Sequence, residues 1–167
     1  AGTHARDKDA VVASMLICEM AAYYRSQGKS LLQMREALYQ KYGVYQNTVV
    51  NKMFEGEQGM EAMQRLMGHL RENRPEVIAG RRVVMYSDYE TSEQTDILSG
   101  ETVRLTLPKS NVLSYKLEGD AALMIRPSGT EPKIKAYLTA SAATDAQASA
   151  VTAQLTEAAH ALMTLPD

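Results

Sequence analysis

Sulfur and aromatic rings are scarce in this chain of 167 residues. Its single cysteine, Cys18, cannot close an intrachain disulfide, so packing and hydrogen bonds must hold the fold. Cys18 lies in an apolar helical stretch, where a buried reduced thiol and an intracellular, cytoplasmic setting are expected. With no tryptophan and one phenylalanine there is little surface on which bases could stack. Eighteen basic side chains against twenty acidic ones leave a net charge of −2, with the signs interspersed. Both features argue against nucleic acid and against an anionic membrane as partners. No apolar run approaches the roughly 20 residues that cross a bilayer, and no internal repeat is present. The opening run AGTHARDKDA is polar and charged, unlike a secretory leader, and lacks an initiator methionine. A processed or excised piece of a longer chain is the expectation.

What the chain does have is a hydrophobic content of 45%, enough for a packed core, and length for one good domain or a small domain plus part of another. The spacing predicts a helix from Asp9 to Tyr24. Its apolar residues, Val11, Val12, Met15, Leu16, Cys18, Met20 and Tyr23 among them, surround the axis instead of forming one stripe, a pattern that calls for burial on several sides. With only this chain to cover it, part of that surface is expected to be bare and to mark a contact with something else. A second helix, Ser30 to Tyr42, opens on the capping box Ser30-Leu31-Leu32-Gln33 and stops at Gly43. After an extended connector and first strand over VYQNTVVNKM, residues Met60, Met63, Met67 and Leu70 recur at helical spacing until Pro75, a core face and not a methionine metal site.

From Arg81 the period shortens toward two. The runs RRVVMYSDY, TVRLTLP, NVLSYKL, AALMIRP and KIKAYLTA predict strands, antiparallel because Glu118-Gly119-Asp120 is a short turn and no crossover helix separates the later ones. Thr144 to Leu162 predicts a closing helix, with Thr144 and Gln147 as another capping box and Ala148, Val151, Leu155, Ala158 and Leu162 as its apolar stripe. The fold class is therefore α+β, with a boundary near Gly43: a helical segment, 1–43, followed by a sheet backed by helices, 44–167.

The run RPSGTEPKIKAY, Arg126 to Tyr137, concentrates the chemistry. Arg126 offers a planar fork of donors suited to two phosphate oxygens, and Ser128 and Thr130 each add a hydroxyl. Gly129 tolerates positive φ, which would let backbone N–H groups curl into an anion-binding nest. Pro127 and Pro132 bracket the turn and stiffen it. Alternation along the next strand sends Ile134, Ala136 and Leu138 to one face and Lys133, Lys135 and Tyr137 to the other, placing a cation beside the loop. Glu131 would repel a dianion unless it points away or pairs with Lys133. On residue chemistry alone, two readings stand: a phosphate grip, or a proline-glycine hairpin turn with solvated charges.

RPSGTEPKIKAY resembles the phosphate-binding loop of the last domain of the alpha-D-phosphohexomutases, the phosphoglucomutase and phosphomannomutase family, with its R-x-S-G-T-E-P core and a basic residue on the following strand. The amino-terminal stretch GTHARDKDAVVASMLICEMAAYYRSQGKSL resembles part of that family's third domain, closest to the phosphoglucomutase and phosphopentomutase branch. The resemblance implies that residues 1–43 are the carboxyl end of an incomplete third domain and 44–167 a fourth domain of the TATA-binding-protein-like type, with helices on one face of an antiparallel sheet. It also implies interconversion of hexose 1- and 6-phosphates through a phosphoserine and a bisphosphorylated intermediate, with magnesium and a glucose 1,6-bisphosphate-type activator.

On that reading Arg126, Ser128, Gly129, Thr130 and Lys135 grip the non-reacting phosphate of a phosphosugar substrate. Lys8 is the implied general acid or base, His4 contacts the sugar or assists proton transfer, and Arg6 contacts substrate. Lys135 stands where the family prefers arginine; it keeps the charge and loses the bidentate fork. The phosphoserine loop and the aspartate-rich magnesium loop have no counterpart in the chain. The metal ligands, the other catalytic parts and the missing amino-terminal domains would lie outside it, and the piece alone would be inactive. The alternatives are a phosphomannomutase or phosphopentomutase within the family, or a stand-alone, non-catalytic phospholigand-binding or interaction module. His69 and His160 fall on predicted helices without ligand partners at metal spacing and read as surface or packing residues.

Overall fold

The computed structural model describes residues 8–56 and 58–165, and the chain divides into two compact units, Ala1–Gly43 and Val44–Asp167. In the first, helix α1 (Ala10–Ser26) begins where the Asp9 carboxylate accepts the Val12 N–H at 2.9 Å. Helix α2 (Leu31–Tyr42) carries the reciprocal capping box between Ser30 and Gln33, and Gly43 ends it at φ 86°, a left-handed value suited to glycine. Neither helix has a buried residue. Val11, Met15, Leu16, Ile17, Met20 and Tyr23 are exposed, the bare surface expected of an all-round apolar helix that this chain alone does not cover. Cys18 is exposed too, which corrects its expected burial: an apolar helix protects a thiol only if something covers that side.

The second unit is an eight-stranded open sheet with helices packed against it. Its elements in chain order are β1 (Val44–Met53), α3 (Gly59–Glu72), β2 (Val77–Ile78), β3 (Arg81–Asp88), β4 (Glu93–Asp96), β5 (Thr102–Arg104), β6 (Leu113–Leu117), β7 (Ala122–Pro127), β8 (Lys133–Ala142) and α4 (Asp145–Leu162). The strands lie in the order β1-β8-β7-β6-β3-β4-β5, with short β2 beside β3, and every pairing is antiparallel. Gly119 and Asp120, at φ 78° and 57°, make the tight β6–β7 turn. Strand β5 stops at Arg104, well short of the predicted TVRLTLP, with all three of its residues exposed. Strand β4, Glu-Gln-Thr-Asp, has no apolar alternation that could announce it.

Register explains which face is covered. Across the sheet, Asp88, Leu113, Ile125, Ala136 and Val50 stand in one row, and Tyr86, Tyr115, Leu123, Leu138 and Thr48 in the next. The apolar members of both rows are buried. Met63, Leu66, Met67 and Leu70 of α3 join the same cluster, as do Leu155 and Ala159 of α4 and Met163 just beyond it. Each of the fully buried leucines contributes about 1.5–3 kcal/mol through apolar area removed from water. The opposite face carries Val49, Tyr137 and Met124 in one row, all exposed. Both helices therefore back one side of the sheet.

Candidate functional site

The motif folds as the end of β7, a loop and the start of β8. Arg126 pairs in register with Lys135, and Pro127 with Ile134. Because side chains alternate, buried Ile125 and Ile134 point into the core while Arg126 and Lys135 point the other way, on neighbouring strands. Directly opposed residues of an antiparallel pair have Cβ atoms about 4.5–5.5 Å apart, so two cations share the strand end. Such a pair is repulsive unless an anion lies between them. Ser128 closes the loop by donating its N–H to the Lys133 carbonyl at 2.7 Å, and Lys133 donates to the Glu131 carbonyl at 2.7 Å. The Glu131 carboxylate pairs with Lys133 Nζ at 2.8 Å. That hydrogen bond and charge, with a lesser contribution from Lys135, hold the carboxyl below its ordinary range. Glu131 is thereby occupied by lysine.

Gly129 departs from expectation: its φ is not among the positive values, and a Cβ added there would meet nothing within 4 Å. The left-handed nest is absent, because the Ser128–Lys133 bond spans a loop long enough to turn without it. What Gly129 supplies is open space on the surface of the loop. A glycine required for close packing beside the loop is Gly59, at the start of α3. A Cβ there would run into the carbonyl oxygen of Phe54 and come within 3.1 Å of Pro132 Cβ. Phe54 in turn donates its N–H to the Pro132 carbonyl at 2.8 Å, so the loop rests on the β1–α3 junction.

Arg126, Pro127, Ser128 and Gly129 form one side of an open cleft of about 450 Å³. Its other sides come from Met60, Met63 and Gln64 of α3 and from Ser110, Asn111 and Val112, which run into β6. Leu113 pairs with Ile125, so the chain just before β6 passes beside the chain just after Ile125. Tyr89 holds this segment by donating to the Val112 carbonyl at 3.0 Å and accepting from Ser110 N–H at 3.2 Å. Arg71 of α3 holds it as well: its Nε donates to buried Asp88 at 2.9 Å, and its Nη2 donates to Asn111 Oδ1 at 2.5 Å and to Glu90 at 2.5 Å. Thr130 is exposed outside the cleft lining, and Lys135 is half-buried and also outside it.

Sequence reasoning missed Asn111, Ser110, Gln64 and Arg71. No local pattern joins residues separated by tens of positions; only the topology brings them to the loop.

The profile of a known family, "Phosphoglucomutase/phosphomannomutase, C-terminal domain", matches residues 51–158, a stretch that contains the whole loop and its strand. The chain belongs to that family. Among curated relatives of the phosphoglucomutase/phosphomannomutase family, the phosphoglucomutase of Staphylococcus haemolyticus is 35% identical over 133 residues, covering 80% of this chain and 24% of its own. That of Staphylococcus epidermidis is 37% identical over 137 residues (81% and 25%), and that of Staphylococcus aureus strain MRSA252 is 38% identical over 133 (80% and 24%). The chain thus spans about a quarter of the length of these relatives. A Paramecium exocytosis-sensitive phosphoprotein, parafusin, solved in an open form, shares the fold with a TM-score of 0.61 at 12% identity, over 96% of this chain and 28% of that one.

Of the other expected residues, Lys8 is exposed, ahead of α1, while His4 and Arg6 lie outside the described residues. His69 accepts or donates through Nδ1 to Asn73 at 3.1 Å, and His160 is exposed on α4. Among the described residues no group of three or more His, Cys, Asp or Glu side chains could hold a metal ion. The described side chains therefore offer no donor set that fits magnesium. No described helix is long and apolar enough to cross a membrane.

Proposed function

We propose that this chain is the carboxyl-terminal part of a phosphohexomutase of the phosphoglucomutase type, and that its β7–β8 loop grips the phosphate that is not being transferred. The pairing of Arg126 with Lys135 at one strand end carries this reading, together with Ser128 and Gly129 lining the adjoining cleft. Two neighbouring cations, neither ion-paired at contact distance among the described residues, and a donor-rich loop favour a dianion, with Arg126 supplying a bidentate fork and Lys135 a point charge. The hydroxyls of Ser128 and Thr130 and the backbone at Gly129 complete the grip. Holding one phosphate while the other end of the sugar meets a phosphoserine is catalysis by positioning, the dominant contribution in phosphoryl transfer.

Residues 44–167 on this reading are the family's TATA-binding-protein-like fourth domain and 1–43 the end of its third. Lys8, with His4 and Arg6, would serve proton transfer or the transferring phosphate there. The phosphoserine, the magnesium ligands and the amino-terminal domains would be supplied by further sequence, and a bisphosphate activator would share the same grip.

The test is calorimetric titration of glucose 6-phosphate into the enzyme that contains this chain. Arg126→Ala removes charge-assisted hydrogen bonds worth about 1.5–3 kcal/mol, so affinity falls about ten- to a hundredfold. An affinity equal to that of the parent protein removes Arg126 from the grip.

A further inference from the structure

We infer that Asn111, set by Arg71, is a second anchor of the same cleft and binds the hydroxyl groups of the phosphate ester held by the loop. This inference rests on the phosphate grip proposed above and extends it from the anion to the carbohydrate body.

A guanidinium has donors only, so the oxygen of the Asn111 amide must face Arg71 Nη2, at 2.5 Å. The amide nitrogen, with two N–H donors, is left for the cleft that Asn111 lines. Arg71 itself is fixed: Asp88, its Nε partner at 2.9 Å, has a side chain only 3% exposed and also accepts the Glu90 N–H at 3.0 Å. Helix α3, the end of β3 and the segment leading into β6 therefore converge on one amide, a rigid arrangement for a side chain that would otherwise be a mobile loop tip. The rest of the lining suits an amphiphilic ring. Gln64 and Ser110 add polar groups for hydroxyls, and Met60, 41% exposed, gives an apolar surface for the C–H side of a sugar. A volume of about 450 Å³ is that of a small-molecule cleft. Asn111 would touch the ligand; Arg71 is a positioning residue.

The experiment is a chemical-shift titration of the isotope-labelled 167-residue chain with two probes, inorganic phosphate and glucose 6-phosphate. In the parent chain both probes move the amides of Ser128–Thr130, only the sugar phosphate moves those of Ser110–Val112, and it binds more tightly. Asn111→Ala, an exposed loop change that spares the core, lowers the ratio of the two affinities about three- to tenfold, the worth of one or two hydrogen bonds. Arg71→Met lowers the same ratio; a merely structural role for Arg71 would weaken both probes alike. Arg126→Ala weakens both. Sugar phosphate that binds no tighter than phosphate, or an Asn111→Ala ratio equal to the parent's, overturns this inference and leaves the grip standing. Silence of the loop amides toward both probes overturns the two together.

Discussion

Two glycine-to-alanine changes separate what the fold needs from what the ligand needs. At Gly59 a methyl group would meet the Phe54 carbonyl and crowd Pro132, whose own carbonyl receives the Phe54 N–H at 2.8 Å. Overpacking of this kind costs about 1–3 kcal/mol, and loss of the Phe54–Pro132 hydrogen bond costs about 0.5–1.5 kcal/mol. Alanine returns at most about 1 kcal/mol of helix propensity, and less at a first helical position. The net for Gly59→Ala is a loss of about 1–3 kcal/mol, or roughly ten- to a hundredfold more frequent opening of this unit. At Gly129 the same methyl group meets nothing within 4 Å and no left-handed backbone is strained, so stability stays within about 0.5 kcal/mol. It does narrow the cleft that Gly129 lines, and phosphate affinity should fall. Native-state hydrogen exchange at the β7 and β8 amides reads the opening free energy of this unit directly, whatever residues 1–43 do. If Gly59→Ala exchanges as slowly as the parent, or if Gly129→Ala is the variant that opens, the proposed support of the loop is wrong.

Two further changes probe the unit beneath the cleft. Arg71→Met strands the buried Asp88 carboxylate. Removing one partner of a buried pair costs about 3–5 kcal/mol, and because Arg71 is 21% exposed we expect about 2–3 kcal/mol in urea unfolding. Adding Asp88→Asn should restore more than half of it, since an amide still accepts the Glu90 N–H; no restoration would mean that packing, not charge, was lost. Tyr115 has a buried hydroxyl without a hydrogen-bond partner, and burial pushes its phenol far above the usual range. Tyr115→Phe should therefore match or exceed the parent in stability by up to about 1 kcal/mol. The parent should lose stability as pH rises past about 10, where the unfolded tyrosine ionises and the folded one does not. A variant with the same alkaline decline as the parent would assign that decline elsewhere.

Where pattern is local, the sequence announced the structure well. Ser30 and Gln33 declared α2, the alternation of KIKAYL declared which face of β8 is buried, and Met63, Met67 and Leu70 at helical spacing declared the buried side of α3, although Met60, read as part of the same face, is exposed at its first turn. Strand β4 and the two-residue β2 went unannounced because pairing with β3, not their own composition, makes them strands. Half of the candidate site was legible for the same reason: Arg126 to Thr130 is one contiguous run. The remainder depends on distant pairs such as Arg71 with Asn111, which no periodicity encodes. The motif glycine misled, since its type suggested a left-handed turn and its place called only for vacancy. Cys18 misled because apolar neighbours along a helix do not guarantee a cover over it.

The pairing of β1 with β8 joins Val44, the first residue of the second unit, to Ala142, just ahead of α4. Closing a loop of that length costs about 4 kcal/mol of chain entropy before any contact rewards it, so this seam should zip last and the unit should fold slowly for its size. Helix α4 then carries the chain back toward Lys52, whose Nζ donates to Thr164 Oγ1 at 3.1 Å, so a circular permutant opened at the exposed Gly119–Asp120 bend would keep every strand beside its present neighbours once a linker of about 10 residues spans the way back to Val44.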